Sequence, residues 1–279
     1  MPDVADVPAG LRERARAYLA SRAAGADAEI ATPRHAATVV LLRDSAGGLE
    51  VYLLRRVGTM AFAAGMHVFP GGAVDPRDGE IETAWAGPPA GRWAEWLVCD
   101  EKLARALVCA AVRETFEESG VLLAGPDAQT VVADTTPDDI EADRLALIEH
   151  RLSIAEMLAQ RNLVLRSDLL RPWAHWITPE FEPRRFDTRF FVAAVPPGQR
   201  PRDVSGEADA TGWLSVRTAV DRHEGGDLAM LPPTISSLRQ ISRFRTVAEV
   251  LAAPRELRPV TPRLMSEGER LWLEVEDPE

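Results

Sequence analysis

Between Glu101 and Ser119 the apolar residues Leu103, Ala106, Leu107, Ala110, Ala111 and Val112 recur at helical spacing, and Gly120 supplies the stop. The spacing predicts a helix over 101–119. Its last turns carry Arg113-Glu114-Thr115-Phe116-Glu117-Glu118-Ser119-Gly120-Val121, in which Glu114, Glu117 and Glu118 stand at i, i+3 and i+4. Three carboxylates therefore leave one helix face within a turn. Such a face repels itself, and no Lys or Arg follows within a turn to offset it. The fold has to bring the counter-charge from elsewhere. A solvated acidic face is the plain reading of any Glu pair; the sharper one is a hard divalent cation, because Mg²⁺ or Mn²⁺ takes oxygen ligands and keeps waters and substrate phosphates in its shell.

Around this helix the chain reads as mixed strands and helices. Leu11 to Ser21 has a helical pattern and runs into the small-residue connection AAGADAE. His35 to Arg43 and Leu49 to Arg56 are β-rich and are separated by DSAGG, which predicts a hairpin. A further apolar run, Met66 to Phe69, stops at Pro70-Gly71-Gly72. Ala73 to Asp100, with GPPAG and the tryptophans Trp85, Trp93 and Trp96, reads as an inserted excursion. Helical pattern returns over Asp139 to Gln160, at Thr234 to Arg243 and at Val247 to Ala253. Strands are expected at Ala174 to Thr178, Thr188 to Val195 and Thr211 to Val216, with a β-like tail at Glu269 to Val275. This order gives α/β or α+β architecture.

Composition removes several function classes. With 279 residues, 46% of them hydrophobic, the chain buries a real core without a metal or disulfide staple. Its formal net charge of −11 disfavours unspecific nucleic-acid binding, which depends on Lys and Arg neutralising phosphates. A polyanionic substrate then needs local compensation, most simply by metal ions. Cys99 and Cys109 make no disulfide framework and sit in no CxxC or Cys/His cluster, which fits a reducing cytoplasm. The N-terminal MPDVADVPAG has no basic region followed by an apolar stretch, so no secretory signal is expected. The uncharged run Val57 to Val74 has the length of a membrane span, but Gly58, Gly65, His67, Pro70, Gly71 and Gly72 interrupt it, and it reads as strand, loop and strand. No GxSxG elbow, HExxH, GxxxxGK[ST] loop or GxGxxG is present.

The segment from Arg113 to Val121 resembles the Nudix box, whose pattern is G, five residues, E, seven residues, then R-E-U-x-E-E-x-G-U with U apolar. Arg113, Glu114, Glu117, Glu118, Gly120 and Val121 match, and Thr115 stands at a position that is usually aliphatic. Five fixed letters coincide by accident about 3 × 10⁻⁴ times over a chain of this length. The preceding VFPGG, Val68 to Gly72, is similar to the strand and Gly-Gly that open the box. Gly72 and Arg113 lie 41 positions apart where the family has 14, so 27 residues interrupt the pattern. The first Glu of the box has no clear counterpart by counting back: that position is Arg105, and Glu101 is the nearest acid on the helix. Some Nudix hydrolases, including peroxisomal ones acting on coenzyme A, carry such an insertion. The stretches TPEFEPRRFDTRFF (Thr178 to Phe191) and LPPT (Leu231 to Thr234) extend the resemblance to that subgroup over roughly residues 36 to 250.

The resemblance implies an α/β/α sandwich with a mixed central sheet, an insertion over 73–100 and extra C-terminal helices over 231–279. A domain over 31–279 would follow an N-terminal helix and connection at 1–30. It implies Glu117 and Glu118 as metal ligands, Glu114 as a further ligand or a base acting on water, Arg113 as the residue that orients a glutamate, and the Gly72 carbonyl as part of a metal shell. Mg²⁺ or Mn²⁺ is the expected cofactor and a small nucleoside diphosphate derivative the expected partner. A homodimer is the one macromolecular association left open. Arg56, Arg184 and Arg185 are candidates for holding substrate phosphate, with a salt bridge to Asp187 or Glu182 as the plainer fate of the last two. Glu207 and Asp209, before the strand-like TGWLSV, are candidates for a further carboxylate, with a surface turn as the other reading. Tyr52 to Gly72 is similar to the coenzyme A signature LLTxRSxxxRxxxGxxxFPGG at Arg56, Gly65 and Phe69 to Gly72, while Ala61 stands where that motif has its second arginine. Coenzyme A or its thioesters are therefore expected ahead of NADH or ADP-ribose, and a non-cleaving nucleotide-binding module is the rival of another class.

Overall fold

A computed structural model describes residues 3–7, 9–25, 30–57, 65–79, 84–202 and 208–275. Strand β1 (Asp3–Asp6) and helix α1 (Arg12–Ala23) precede the hairpin of β2 (Arg34–Ser45) and β3 (Gly48–Arg56). Two short strands, β4 (His67–Val68) and β5 (Gly71–Ala73), lead to a single 3-10 turn at Pro76–Asp78. The excursion contributes β6 (Trp85–Ala86) and α2 (Ala90–Leu97) before the long helix α3 (Glu101–Ser119). Next come β7 (Ala124–Gly125), α4 (Asp138–Ile148), α5 (Ile154–Gln160) and β8 (Val164–Arg166). Strands β9 (Leu170–Ile177), β10 (Phe186–Ala194) and β11 (Ala208–Ser215) lead to helices α6 (Val216–Glu224), α7 (Pro232–Ile241) and α8 (Val247–Ala252). Strands β12 (Pro259–Val260), β13 (Arg263–Glu267) and β14 (Arg270–Val275) follow.

The central sheet runs β11-β3-β2-β10-β9-β12, with β4 added to β3 and β5 to β2. It is mixed: β2 and β10 are parallel, whereas β2 with β3, β3 with β11 and β9 with β10 are antiparallel. The near-continuous apolar run in β2 is the mark of a strand covered on both faces. Ala37, Val39 and Leu41 enter one core with Trp93 and Leu97 of α2, Leu107 and Val108 of α3, and Ile154 and Met157 of α5. Val40 and Leu42 enter the other, with Val216 of α6, Leu238 of α7 and Val250 of α8. Each such Leu or Val withdrawn from water contributes about 2 kcal/mol, so the two-faced packing is what fixes the sandwich. A smaller sheet, β1-β14-β13, stands apart over Val7, Ala15, Phe181, Leu271 and Leu273.

The predicted hairpin and the helix over 101–119 hold; of the run Val57 to Val74, residues 58–64 lie outside those described, and the remainder carries β4, Pro70 and β5. The helical pattern over Asp139 to Gln160 is in fact two helices. His150 takes a left-handed conformation (φ 55) between them, and Ser153 and Glu156 form a reciprocal capping box that starts α5. Within the excursion, β6 pairs with β8, the Trp85 indole donates to the Pro88 carbonyl at 2.7 Å, and Ser167 Oγ donates to the Ala86 carbonyl at 2.8 Å. Trp93 is fully buried against Trp96 and Phe191. Residues 84–100 are thus tied into the body of the domain. No helix among the described residues is long and apolar enough to cross a membrane.

Candidate active site

Helix α3 starts on Asp100, whose carboxylate accepts the Leu103 N–H, and ends on Gly120 in the left-handed conformation (φ 73). Its acidic face lies at the C-terminal end, where the helix dipole already opposes negative charge. Thr115 is buried and donates its hydroxyl to the Ala111 carbonyl at 2.7 Å, which explains why a polar residue is tolerated at an apolar position.

Arg113 is the hub. Its Nε and Nη2 donate to Asp78 at 3.0 and 2.9 Å, Nη1 donates to Glu114 at 2.8 Å and to Glu117 at 3.2 Å, and Nη2 also reaches the Ala73 carbonyl at 2.9 Å. Asp78 is held by the turn at Pro76–Asp78, where it and Asp75 form a reciprocal cap. Five intervening residues separate Gly72 from Asp78, the spacing of the first acid of the Nudix box, so the extra residues begin after Asp78 and not at Ala73 as the sequence reading has it. Counting forward from Gly72 finds this residue; counting back from Arg113 crosses the excursion and misses it.

Strand β5 lies directly over the helix end. Gly71 N–H donates to Glu118 Oε2 at 2.9 Å, and a Cβ on Gly72 would stand 2.5 Å from Glu114 Oε1. At Gly71 a Cβ would meet Thr38 Oγ1 at 2.5 Å and the Ala37 carbonyl at 2.6 Å. Only glycines let strand and carboxylates approach this closely.

Three carboxylates, Asp78, Glu114 and Glu117, thus surround one guanidinium, and Glu118 lies beside them on the Gly71 N–H. Burial pushes Glu114 up to about 7 against the attraction of Arg113, and burial raises Glu117 and Asp78 as well. Asp75 goes the other way, to about 2, because Arg77 hydrogen-bonds it. Among the described residues no three His, Cys, Asp or Glu side chains converge into a ready-made metal cage, since Arg113 lies between Glu114 and Glu117. The donor set nevertheless fits Mg²⁺ or Mn²⁺: its oxygens are hard, and its negative charge exceeds what Arg113 offsets.

The cluster forms one end of a cavity of about 670 Å³. Arg56 from β3 and Arg184 from the β9–β10 connection line the wall, together with Thr178, Pro179 and the Leu231-Pro232-Pro233-Thr234 start of α7. The two stretches that extend the sequence resemblance therefore meet the box across one cavity.

A family model described as the NUDT19 Nudix domain matches residues 97–241, over half of the chain. The chain belongs to the Nudix family. The crystal structure of a Nudix hydrolase from Alicyclobacillus acidocaldarius is 30% identical with a TM-score of 0.66, covering 81% of this chain and 98% of that one. Among curated relatives, putative nudix hydrolase 7 of Caenorhabditis elegans is 29% identical over 212 residues, 76% of this chain and 61% of that protein. The acyl-coenzyme A diphosphatase NUDT19 of Homo sapiens is 26% identical over 242 residues, 74% of this chain and 64% of that protein. The chain spans less than two thirds of the length of these two curated relatives.

Within the Nudix fold, the structure brings together Arg113, Glu114, Glu117, Glu118, Gly72, Arg56 and Arg184. It does not bring Arg185. That side chain is buried and donates to the Thr178 and Ala31 carbonyls, both at 3.0 Å, so it braces the β9–β10 connection and pairs with neither Asp187 nor Glu182. Glu207, Ala61 and the side chain of Asp209 lie outside the described residues. Cys109 is core and Cys99 half-buried, both free thiols. Sequence reading missed Asp78, Arg34, which lines the cavity from the start of β2, and Arg144, which binds the end of α3 from α4.

Proposed function

We propose that this chain hydrolyses the diphosphate linkage of a nucleoside-diphosphate compound, with Mg²⁺ or Mn²⁺ as cofactor and coenzyme A or an acyl-coenzyme A as the favoured substrate. The observation that carries this reading is the Arg113-centred carboxylate cluster packed on Gly71 and Gly72 in the wall of a cavity of about 670 Å³. Glu117 and Glu118 are assigned as metal ligands with the Gly72 carbonyl, and Glu114 as a further ligand or the base for water. The metal, when bound, supplies activation of water and offsets charge on the bridging and leaving oxygens. Arg113, backed by Asp78, keeps Glu114 and Glu117 in register. Arg56 and Arg184 are assigned to the substrate's phosphates.

The choice of coenzyme A is supported by the wall built from the TPEFEPRRFDT and LPPT stretches and by the activity named for the human relative. Ala61, at the arginine position of the coenzyme A signature, favours NADH or ADP-ribose as the second reading. A non-cleaving module is disfavoured by the retention of all three box glutamates. Turnover of coenzyme A, an acyl-coenzyme A, NADH and ADP-ribose with Mg²⁺ or Mn²⁺, compared as kcat/KM, tests the reading, since discrimination lives in that ratio. Tenfold preference for NADH or ADP-ribose overturns the substrate, and no turnover of any compound overturns the hydrolase.

A further inference from the structure

The cavity has a second charged end, opposite in sign to the carboxylates. Its floor is one face of two parallel neighbours, β2 and β10, on which Phe186 pairs with Arg34, Thr188 with Ala36 and Phe190 with Thr38. Side chains alternate along a strand, so these six residues share a face, and all six line the cavity. Thr38 also pairs with Gly71, whose N–H is held by Glu118. Four steps along the strand, about 13 Å, then separate Thr38 at the carboxylate end from Arg34. Arg184 precedes Phe186 by two positions and lines the same cavity.

Arg34 and Arg184 are exposed, and among the described residues neither guanidinium has a hydrogen-bond or ion-pair partner. Their neighbours are committed elsewhere. Arg185 is turned inward onto main-chain carbonyls, Arg189 pairs with Asp187, and Glu182, the acid nearest in sequence on the cavity wall, is held by Arg14 at 3.0 Å. In a chain of net charge −11, two uncommitted guanidiniums at one end of a cavity make a local positive site, with planar forks suited to phosphate oxygens.

We propose that Arg34 and Arg184 clamp a second phosphate of the substrate, a phosphate monoester carried on the ribose apart from the diphosphate. The inference rests on the diphosphate-hydrolysis reading above and narrows it to nucleoside compounds with this extra group. The ribose 2′ and 3′ positions share this chemistry, and binding separates them.

Isothermal titration of the full chain in Mg²⁺ with adenosine 3′,5′-bisphosphate, adenosine 2′,5′-bisphosphate and AMP is the test. At least one bisphosphate is expected to bind tenfold or more tighter than AMP, and the better of the two identifies the position. The double variant Arg34→Gln, Arg184→Gln is expected to lose that advantage, while Arg217→Gln, exposed on α6 and absent from the cavity wall, keeps it. Equal affinity for all three compounds, or an advantage that survives in the double variant, overturns the clamp. If the bisphosphates bind through the two arginines yet neither coenzyme A nor dephospho-coenzyme A is cleaved, the coenzyme A reading fails and the clamp stands.

Discussion

Arg144 Nη1 donates to the main-chain carbonyl of Glu117 at 2.7 Å. Arg144 is 1% exposed, and its other guanidinium nitrogens clasp Glu141 at 3.0 and 2.5 Å. Arg202 extends the lattice, donating from its side chain to Glu141 and the Thr135 carbonyl at 2.8 and 3.0 Å and from its main-chain N–H to Ser119 at 3.0 Å. A buried positive charge therefore caps the helix end that bears the acidic face. Replacing Arg144 with Met leaves a buried carbonyl unpaired, and urea unfolding is expected to register a loss of about 2 kcal/mol, partly recovered by Arg144→Lys. A loss below about 0.5 kcal/mol, the range of an ordinary surface change, would mean that the cap is incidental.

Glu118→Gln keeps an oxygen for the Gly71 N–H but removes a charge from the proposed metal site. Turnover at saturating Mg²⁺ should fall by about two orders of magnitude or more, with the thermal midpoint near that of the parent. Near-normal turnover in the folded variant would take Glu118 out of the metal site.

Gly72→Ala brings a methyl group to 2.5 Å from Glu114 Oε1. Overpacking of this kind costs about 1–3 kcal/mol, and the carboxylate is expected to move to relieve it. The variant should melt lower and lose most of its activity. Parental kcat/KM would show that the strand and Glu114 need not touch.

Asp187 gives a pH test away from the carboxylate cluster. Burial works against its charge, but hydrogen bonds from His175 at 2.6 Å and from Arg189 outweigh it and hold the carboxyl at about 2. A folded value below the unfolded one of about 3.9 contributes stability that is complete above about pH 4 and lost as pH falls toward 2, about 2 kcal/mol in all. Asp187→Asn should therefore be less stable than the parent at pH 7, with the difference shrinking across that window. A difference that stays constant down to pH 2 would mean that packing, not charge, accounts for it.

The box helix was legible in the sequence because its face is local: the helical period alone unites Glu114, Glu117 and Glu118 with Arg113. Residues delivered by strand pairing were not. Arg34 reaches the cavity through register with Phe186, and no local pattern marks it. Arg184 and Arg185 are adjacent and alike in sequence, yet only Arg184 lines the cavity, because the bend before β10 turns Arg185 onto the Thr178 and Ala31 carbonyls. The break between α4 and α5 did carry a mark, the Ser153 to Glu156 cap spacing, hidden inside a continuous helical pattern. Arg144 carried none, since a charged residue on an amphipathic stretch reads as solvent-facing until α4 is packed on α3.

Asp78 and Arg113 are 35 residues apart, where an uninterrupted box would separate them by about 8. A contact that is otherwise nearly local has become a long-range closure, with an added chain-entropy cost of about 1 kcal/mol. The β6 to β8 pairing, the Ser167 bond to Ala86 and the buried Trp93 are what restrain the intervening chain and offset that cost. The support that Asp78 gives Arg113 at one end of α3 is thereby joined in sequence to a segment whose own anchors, β8, Ser167 and Phe191, lie elsewhere in the domain.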